Sequence, residues 1–208
     1  MANTYRISRL PADTDPAVID WTAIPSAAID TYRWLEGYAP AATAQMVYIE
    51  GNCFALKMTC HEDSPRAVYH GYNDPVYTDS CLEFFSDWLG DGRYVNLEMN
   101  ANGALLSCVG VDRHDRTPIR DLNDGQIFPV KANVEDGVWS VYATIPCAYV
   151  AAILEVEALP FAPGYTFRGN FYKCGDETAI PHYGMWNPVG TANPDFHCPA
   201  YFGNLVID

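Results

Sequence analysis

The side chains best suited to chemistry occupy alternate positions in three short segments that read as β-strands. In each segment one face is apolar and the other carries amides, carboxylates, a guanidinium or aromatic rings. These planar groups have fixed donor and acceptor geometry that suits the recognition of hydroxyl groups, although a single such strand is more simply an ordinary solvated face. If the three strands share one sheet, this face predicts a sugar-binding surface. The polar positions are Glu83 in residues 80–87, Asn96, Glu98 and Asn100 in residues 93–100, and Arg168, Asn170 and Tyr172 in residues 165–173.

The two glutamates of this face leave an enzymatic alternative open. Glycoside hydrolysis needs a pair of carboxyl groups that flank the scissile bond, and Glu83 and Glu98 lie on strands that are expected to be neighbours. No surrounding motif marks either glutamate as an acid that burial keeps neutral. Hydroxyl binding without turnover is therefore the favoured interpretation, and a glycosidase or an accessory subunit of one is the alternative.

Two aromatic residues in turn-rich segments are candidate stacking platforms for a pyranose ring. Trp186 lies in the sequence YGMWNP, and Tyr77 precedes the segment that contains Glu83. An exposed ring in a loop can stack on the apolar face of a sugar, whereas a ring that folds back onto the core cannot. For Trp186 the two outcomes are about equally expected from its position alone.

The elements that must position these groups are predicted to be strands of an all-β fold. Glycine-rich turns such as Asn102-Gly103 separate the strands, and one short helix is expected at 148–154. This pattern predicts a single domain, residues 1–208, that folds as a two-sheet antiparallel β-sandwich of the jelly-roll or immunoglobulin-like type with at most one or two short helices. The predicted strands are 45–50, 53–60, 80–87, 93–100, 105–109, 127–134, 138–145, 165–173 and 203–207.

Several of these segments resemble the family 9 carbohydrate-binding modules. The run YTDSCLEFF at 77–85 is similar to the family strand in which an aromatic residue precedes Asp-Ser-hydrophobic-Glu. The C-terminal segments NFYKCGD, HY, WNP and PDFH resemble the family-9-like group of bacterial proteins. The resemblance covers residues 15–208 and is most specific in the C-terminal part.

The resemblance implies a slot in which two aromatic rings clamp a terminal sugar of a mono- or oligosaccharide. By position, Tyr77 and Trp186 would form the walls, Glu83 the floor, and Asn187 a neighbouring polar contact. Family members usually have tryptophan where this chain has Tyr77. They also carry an arginine on the strand after the glutamate, where this chain has NLEMN, and Arg168 is the expected substitute from another strand.

Metal and redox cofactors are expected not to be required. The resemblance implies structural calcium, and the acidic turn 87–92 offers oxygen ligands, although a plain turn is the simpler interpretation. Zinc could be coordinated by some of Cys174, His182, His197 and Cys198, but their spacing matches no standard zinc site. A third functional alternative is a redox domain that holds haem through Met and His, as related sandwiches can.

Composition restricts the partners and the compartment. The net charge of −14 disfavours nucleic acids and anionic membranes, and no apolar run approaches the length of about 20 residues that spans a bilayer. The seven cysteines lie mostly in apolar runs without a C-x-x-C pair, which indicates buried free thiols in a reducing environment. The N-terminus shows no signal peptide, so a cytoplasmic location is expected, or a secreted one if a leader was removed. The oligomeric state is not indicated.

Overall fold

The computed structural model describes residues 2–208 and consists mainly of β-strands. Alternating apolar side chains drive strand formation because each strand can then bury one face, and glycines at positive φ close several of the turns between strands. The strands are β1 (Thr4–Leu10), β2 (Ala27–Ile29), β3 (Thr31–Tyr32), β4 (Ala42–Ile49), β5 (Cys53–His61), β6 (Cys81–Asp87), β7 (Tyr94–Asn100), β8 (Leu105–Gly110), β9 (Arg116–Pro118), β10 (Val130–Glu135), β11 (Val138–Pro146), β12 (Thr166–Cys174), β13 (Tyr183–Met185) and β14 (Gly203–Ile207).

The strands form one continuous mixed sheet that curls on itself. Its main order is β10-β11-β5-β4-β1-β14-β12-β6-β7-β8-β9. Strand β1 is the link, because Thr4–Ile7 pair with β14 and Ser8–Leu10 pair with β4, in both cases in parallel. All other ladders of the main order are antiparallel. A strand that pairs with both halves is one way in which packed sheets form a corner.

The two halves of the sheet pack their apolar faces against each other. Phe84 of β6 stacks on Phe171 of β12, with ring centroids 5.2 Å apart, and both rings belong to the main hydrophobic core. From the other half, Met46, Leu56 and Trp139 complete this core. The alternation predicted from the sequence for β6, β7 and β12 is therefore confirmed.

The opposite face of β6, β7, β8 and β12 is also largely buried. A second apolar cluster forms there, where Phe85 and Tyr172 pack against Phe196 and Phe202 from the C-terminal segment. A loop that contains Val68 and Tyr69 covers another part of the same face. Asp79 holds this covering loop, because its carboxylate accepts hydrogen bonds from the Val68 and Tyr69 amides at 2.9 and 3.0 Å. The polar face predicted from the sequence is thus a layer beneath loops rather than a solvated surface.

Two short α-helices lie beside the sheet. Helix α1 covers Ile119–Leu122 and α2 covers Cys147–Ile153, and four 3-10 turns occupy Pro16–Val18, Trp21–Ala23, Val76–Thr78 and Pro199–Tyr201. The prediction of one or two short helices agrees with this arrangement. Within residues 2–208, every helix is too short to cross a lipid bilayer.

The prediction of two purely antiparallel sheets is wrong in detail. The chain is β-rich, but β1 was not predicted, and its parallel pairing merges the halves into a single mixed sheet. Parallel pairing joins segments that are distant in sequence, so local turn signals do not reveal it. The sequence prediction also missed the short strands β2, β3, β9 and β13, of which β9 and β13 border the candidate site.

Candidate functional site

The floor of the site is a pair of buried glutamates. Glu83 on β6 and Glu98 on β7 are direct cross-strand partners, so their side chains leave the same face of the sheet side by side. Burial raises the pKa of Glu83 well above its usual range, and the adjacent Glu98 charge raises it further. Burial also raises the pKa of Glu98 to about 7, and the nearby Arg116 guanidinium limits that rise. The pair therefore favours states in which at least one carboxyl group is protonated and can donate a hydrogen bond.

An arginine reaches this pair from β9. The Arg116 Nη1 donates to Glu98 Oε1 at 3.4 Å, while the Asn96 amide donates to the same oxygen at 3.0 Å. Arg116 pairs with Gly110 across the β8–β9 ladder, and a Cβ atom at Gly110 would lie only 2.6 Å from the Arg116 Cα. The glycine is thus needed for β9 to approach closely enough to bring the guanidinium to the site.

Aromatic side chains and a histidine form the walls. Tyr77 is 39% exposed at the end of the covering loop, whereas Tyr183 and Phe196 are less exposed and pack edge to face at 6.1 Å. His197 Nδ1 lies 2.7 Å from the Tyr94 hydroxyl. Burial, together with the charges of Arg116 and Arg113, lowers the pKa of His197 to about 3. The imidazole is therefore neutral at physiological pH.

These groups surround an open cavity of about 340 Å³. At its rim Arg113 forms an ion pair with Asp195 at 2.8 Å, so these two charges compensate each other. The cavity combines paired carboxyl groups, guanidinium groups and aromatic rings in one small volume. Its lining residues are Tyr77, Glu83, Glu98, Arg113, His114, Arg116, Cys174, Asp176, Tyr183, Pro194, Asp195, Phe196 and His197.

Of the residues singled out from the sequence, the structure brings Tyr77, Glu83 and Glu98 together at the cavity. It does not bring Trp186 there. Trp186 is only 7% exposed, belongs to the main core and packs against Phe171 with ring centroids 5.6 Å apart. Its ring also lies over β14, where a Cβ atom at Gly203 would come within 2.5 Å of it. The expected clamp between Tyr77 and Trp186 is therefore not formed.

The remaining predicted polar residues hold the covering segments in place. Asn170 exchanges hydrogen bonds with the backbone of Asn187, donating at 2.8 Å and accepting at 2.9 Å, and Asn187 in turn donates to the Tyr201 carbonyl at 2.7 Å. Arg168 donates to the Phe202 carbonyl at 2.6 Å. None of these three side chains lines the cavity.

Asn100 and Tyr172 have similar roles beneath the cavity. Asn100 accepts hydrogen bonds from the Asn102 and Ala104 amides at 3.1 and 3.0 Å and so closes the β7–β8 turn. Tyr172 stacks on Phe196 with centroids 4.0 Å apart and donates to its carbonyl at 3.2 Å. Their buried polar atoms are satisfied within the protein, which corrects the expectation that they face a ligand.

The residues that the sequence reasoning missed are mainly Arg116, Tyr183 and His197. In the structure the charged segment 112–116 borders the cavity with Arg113, His114 and Arg116. Arg116, and not Arg168, supplies the guanidinium next to the glutamates. Tyr183 was overlooked because strand β13, which carries it, has only three residues.

The acidic turn and the other groups considered for metal binding make contacts within the protein. In the acidic turn, the Asp87 carboxylate accepts from the Gly90 and Gly92 amides at 2.7 and 3.1 Å, and Asp91 pairs with Arg93 at 2.8 Å. These carboxylates are engaged within the protein, and the calcium prediction stays a prediction without assigned ligands.

The suggested zinc and haem ligands are also separated or engaged. The Cys174, His182, His197 and Cys198 set does not come together within residues 2–208. The His182 Nε2 accepts from Lys173 Nζ at 2.7 Å. No methionine of the described residues lines the cavity, so the cavity offers no Met and His pair for haem.

A curled, β-rich sheet with a small cavity of carboxyl groups and aromatic rings on one face defines a ligand-binding β protein. Comparison with known families gives a more specific assignment. The model of carbohydrate-binding family 9 matches residues 13–207, and the chain belongs to that family. Among proteins with curated functions, none matches the chain significantly.

Solved structures agree with this assignment. The chain is 28% identical to a proposed carbohydrate-binding protein from Bacteroides uniformis, with a TM-score of 0.84 and 100% coverage of both chains. A family 9 module from Caldicellulosiruptor kristjanssonii, solved in complex with glucose, is 16% identical with a TM-score of 0.70, over 99% of this chain and 96% of that one. The cellotriose complex of a family 9 module from the same organism gives 16% identity and a TM-score of 0.69, over 99% and 93% of the two chains. These last two similarities establish the fold alone.

Proposed function

We propose that the chain binds a neutral terminal sugar in the cavity above Glu83 and Glu98, without transforming it. The observation that carries this proposal is the combination of a buried carboxyl pair with aromatic walls around one open cavity. A pyranose has hydroxyl groups at its edge and an apolar face. Carboxyl and guanidinium groups satisfy the hydroxyls, while the rings of Tyr77 and Tyr183 offer apolar contact.

The dimensions of the cavity indicate a small ligand unit. Its volume of about 340 Å³ lies at the lower end of the usual range for ligand sites, about 300–1,000 Å³. This favours one sugar ring, or the terminal ring of a longer saccharide, over an extended chain. Family membership supports the same ligand class, because related family 9 modules have been solved with glucose and with cellotriose.

The charge balance of the cavity favours an uncharged sugar. Arg113 is neutralised by Asp195, and Arg116 is engaged by Glu98, so neither guanidinium is free to select a carboxylate or phosphate group. An anionic ligand would also meet the repulsion of a chain with net charge −14.

Glycoside hydrolysis would use the same two glutamates and is the second candidate. Hydrolases place their carboxyl groups on either side of the scissile bond. Here Glu83 and Glu98 project side by side from adjacent strands into the floor, which suits the binding of neighbouring hydroxyls better than attack across a bond.

The proposal is tested by titration calorimetry with glucose, xylose, galactose, cellobiose and xylobiose. Tyr183→Ala and Glu98→Gln should each weaken binding at least tenfold while the protein stays folded. Tyr142→Ala is the matched control, because Tyr142 is a half-buried tyrosine in a second groove, on β11 and away from the cavity. It should bind like the wild type.

Two results would contradict the proposal. One is the absence of saturable heat with this panel and with a broader glycan array. The other is binding that Tyr142→Ala abolishes and Tyr183→Ala leaves intact, which would move the site to the β11 groove. Chromatography of the sugars after the titration separates binding from hydrolysis, because a hydrolase would release shorter saccharides.

A further inference from the structure

Two thiols and a carboxyl group converge at the floor of the cavity. Cys174 on β12 and Cys81 on β6 are direct cross-strand partners, and Glu83 lies two positions after Cys81 on the same face of β6. One ligand atom from each of the three side chains lies within 4.8 Å of the others. The Cys174 thiol donates to Glu83 Oε1 at 2.8 Å. Among residues 2–208 this is the one group of three potential metal ligands so arranged.

We infer that Cys81, Cys174 and Glu83 form a binding site for a thiophilic divalent cation such as Zn²⁺. Two thiolates and one carboxylate are a ligand set that favours zinc over calcium or magnesium. The three side chains project from neighbouring strands, and their ligand atoms already lie within 4.8 Å of one another, which is near the spacing that zinc–sulfur bonds of about 2.3 Å require.

At this site one coordination position of the bound cation would face the cavity. Cys174 and Glu83 line the cavity, whereas Cys81 lies behind them. Three protein ligands with a fourth position open to solvent are the arrangement found where a metal also binds a small molecule. A water molecule or a ligand hydroxyl would complete the tetrahedron.

Metal binding would displace protons from these groups. Burial raises the pKa of Cys81 to about 12 and that of Cys174 well above its usual range, so both thiols are neutral without a metal. A bound divalent cation compensates the charge of the thiolates, and proton release therefore accompanies its binding. Because the groups are neutral in the metal-free protein, two thiols and a carboxyl group can be buried together without a cation.

The inference is tested with Co²⁺ on the full chain in the presence of a phosphine reductant and without sugar. The wild-type protein should show thiolate-to-cobalt charge-transfer absorption that saturates at one equivalent of Co²⁺. Added Zn²⁺ should displace the cobalt and remove this absorption. Cys81→Ser and Cys174→Ser should each abolish the absorption. Cys108→Ser, a buried thiol of the same apolar cluster, and Cys198→Ser, a partly exposed thiol, are matched controls that should retain it.

A second measurement does not depend on the variants folding. X-ray absorption of the zinc-loaded wild type should show two sulfur ligands at about 2.3 Å together with oxygen ligands. Absence of charge-transfer absorption in the wild type would overturn the inference. So would absorption that persists in both Cys81→Ser and Cys174→Ser, or a zinc shell without sulfur. Because no sugar is present, these outcomes are independent of the proposed carbohydrate binding.

Discussion

Replacement of Trp186 by alanine distinguishes a core residue from a ligand platform. The indole is buried against Phe171 and against the β14 backbone at Gly203. Its loss leaves a cavity in the main core, because strands on both sides are fixed by continuous ladders and cannot collapse fully. We expect Trp186→Ala to act on stability first and on sugar binding only through unfolding.

The size of the effect follows from this burial. Truncation of a buried tryptophan costs about 3–5 kcal/mol of unfolding free energy. For a chain of this length, such a loss lowers the melting temperature by roughly 6–20 °C. A ring that served only to stack on a sugar would be exposed, and its removal would cost about 0.5 kcal/mol or less.

Chemical denaturation and calorimetric titration of the same samples measure the two effects separately. Trp21→Ala is the control, because Trp21 is a half-buried tryptophan in a 3-10 turn that packs against Tyr142, and its loss should cost less stability. At a temperature where Trp186→Ala is folded, its sugar affinity should lie within a fewfold of the wild-type value. Wild-type stability combined with loss of binding would show that Trp186 faces the ligand and that the placement argued above is wrong.

Three other predictions follow from the site and its surroundings. Gly110→Ala should displace β9, because the added carbon would lie 2.6 Å from the Arg116 Cα, and denaturation should show a loss of about 1–3 kcal/mol. Arg116→Gln should weaken sugar binding in calorimetry, since the shorter, uncharged side chain takes the guanidinium away from Glu98; unchanged affinity would exclude Arg116 from the site. His182 accepts from Lys173, and burial lowers its pKa to about 4, so stability should be complete above about pH 6.5 and should fall as the pH drops towards 4. His182→Gln should flatten this dependence in thermal melts between pH 4 and pH 7, and an unchanged slope would count against the assignment.

Much of the fold could be predicted because it depends on local patterns. Alternation located β5, β6, β7, β11 and β12 within one or two residues, since each strand turns an apolar face to the main core and glycines at positive φ lie in the neighbouring turns. The parallel strand β1 could not be found in this way. Its partners β4 and β14 are joined to it only by the three-dimensional arrangement, and its outer residues are polar and exposed.

The site could be predicted in part, and the error at Trp186 has a simple physical cause. Both Tyr183 and Trp186 belong to one aromatic segment, but β13 places Tyr183 and Met185 on the cavity side of the sheet. The next residue, Trp186, therefore points to the opposite side, into the main core. Whether a ring faces the cavity or the core depends on whether its position along the strand is odd or even. The sequence pattern does not reveal that this three-residue strand exists.

The predicted polar face illustrates a more general ambiguity. A row of Asn, Glu, Arg and Tyr is equally suited to bind hydroxyl groups or to hold backbone segments, because both tasks use the same donors and acceptors. Asn170 and Arg168 hold the C-terminal segment, and this segment carries Phe196 and His197 to the cavity wall. Only where the covering segments leave a gap, above Glu83 and Glu98, does the polar face remain available to an external partner. The candidate site is thus defined by the loops that cover the rest of the face, and the alternation of the strands cannot predict these loops.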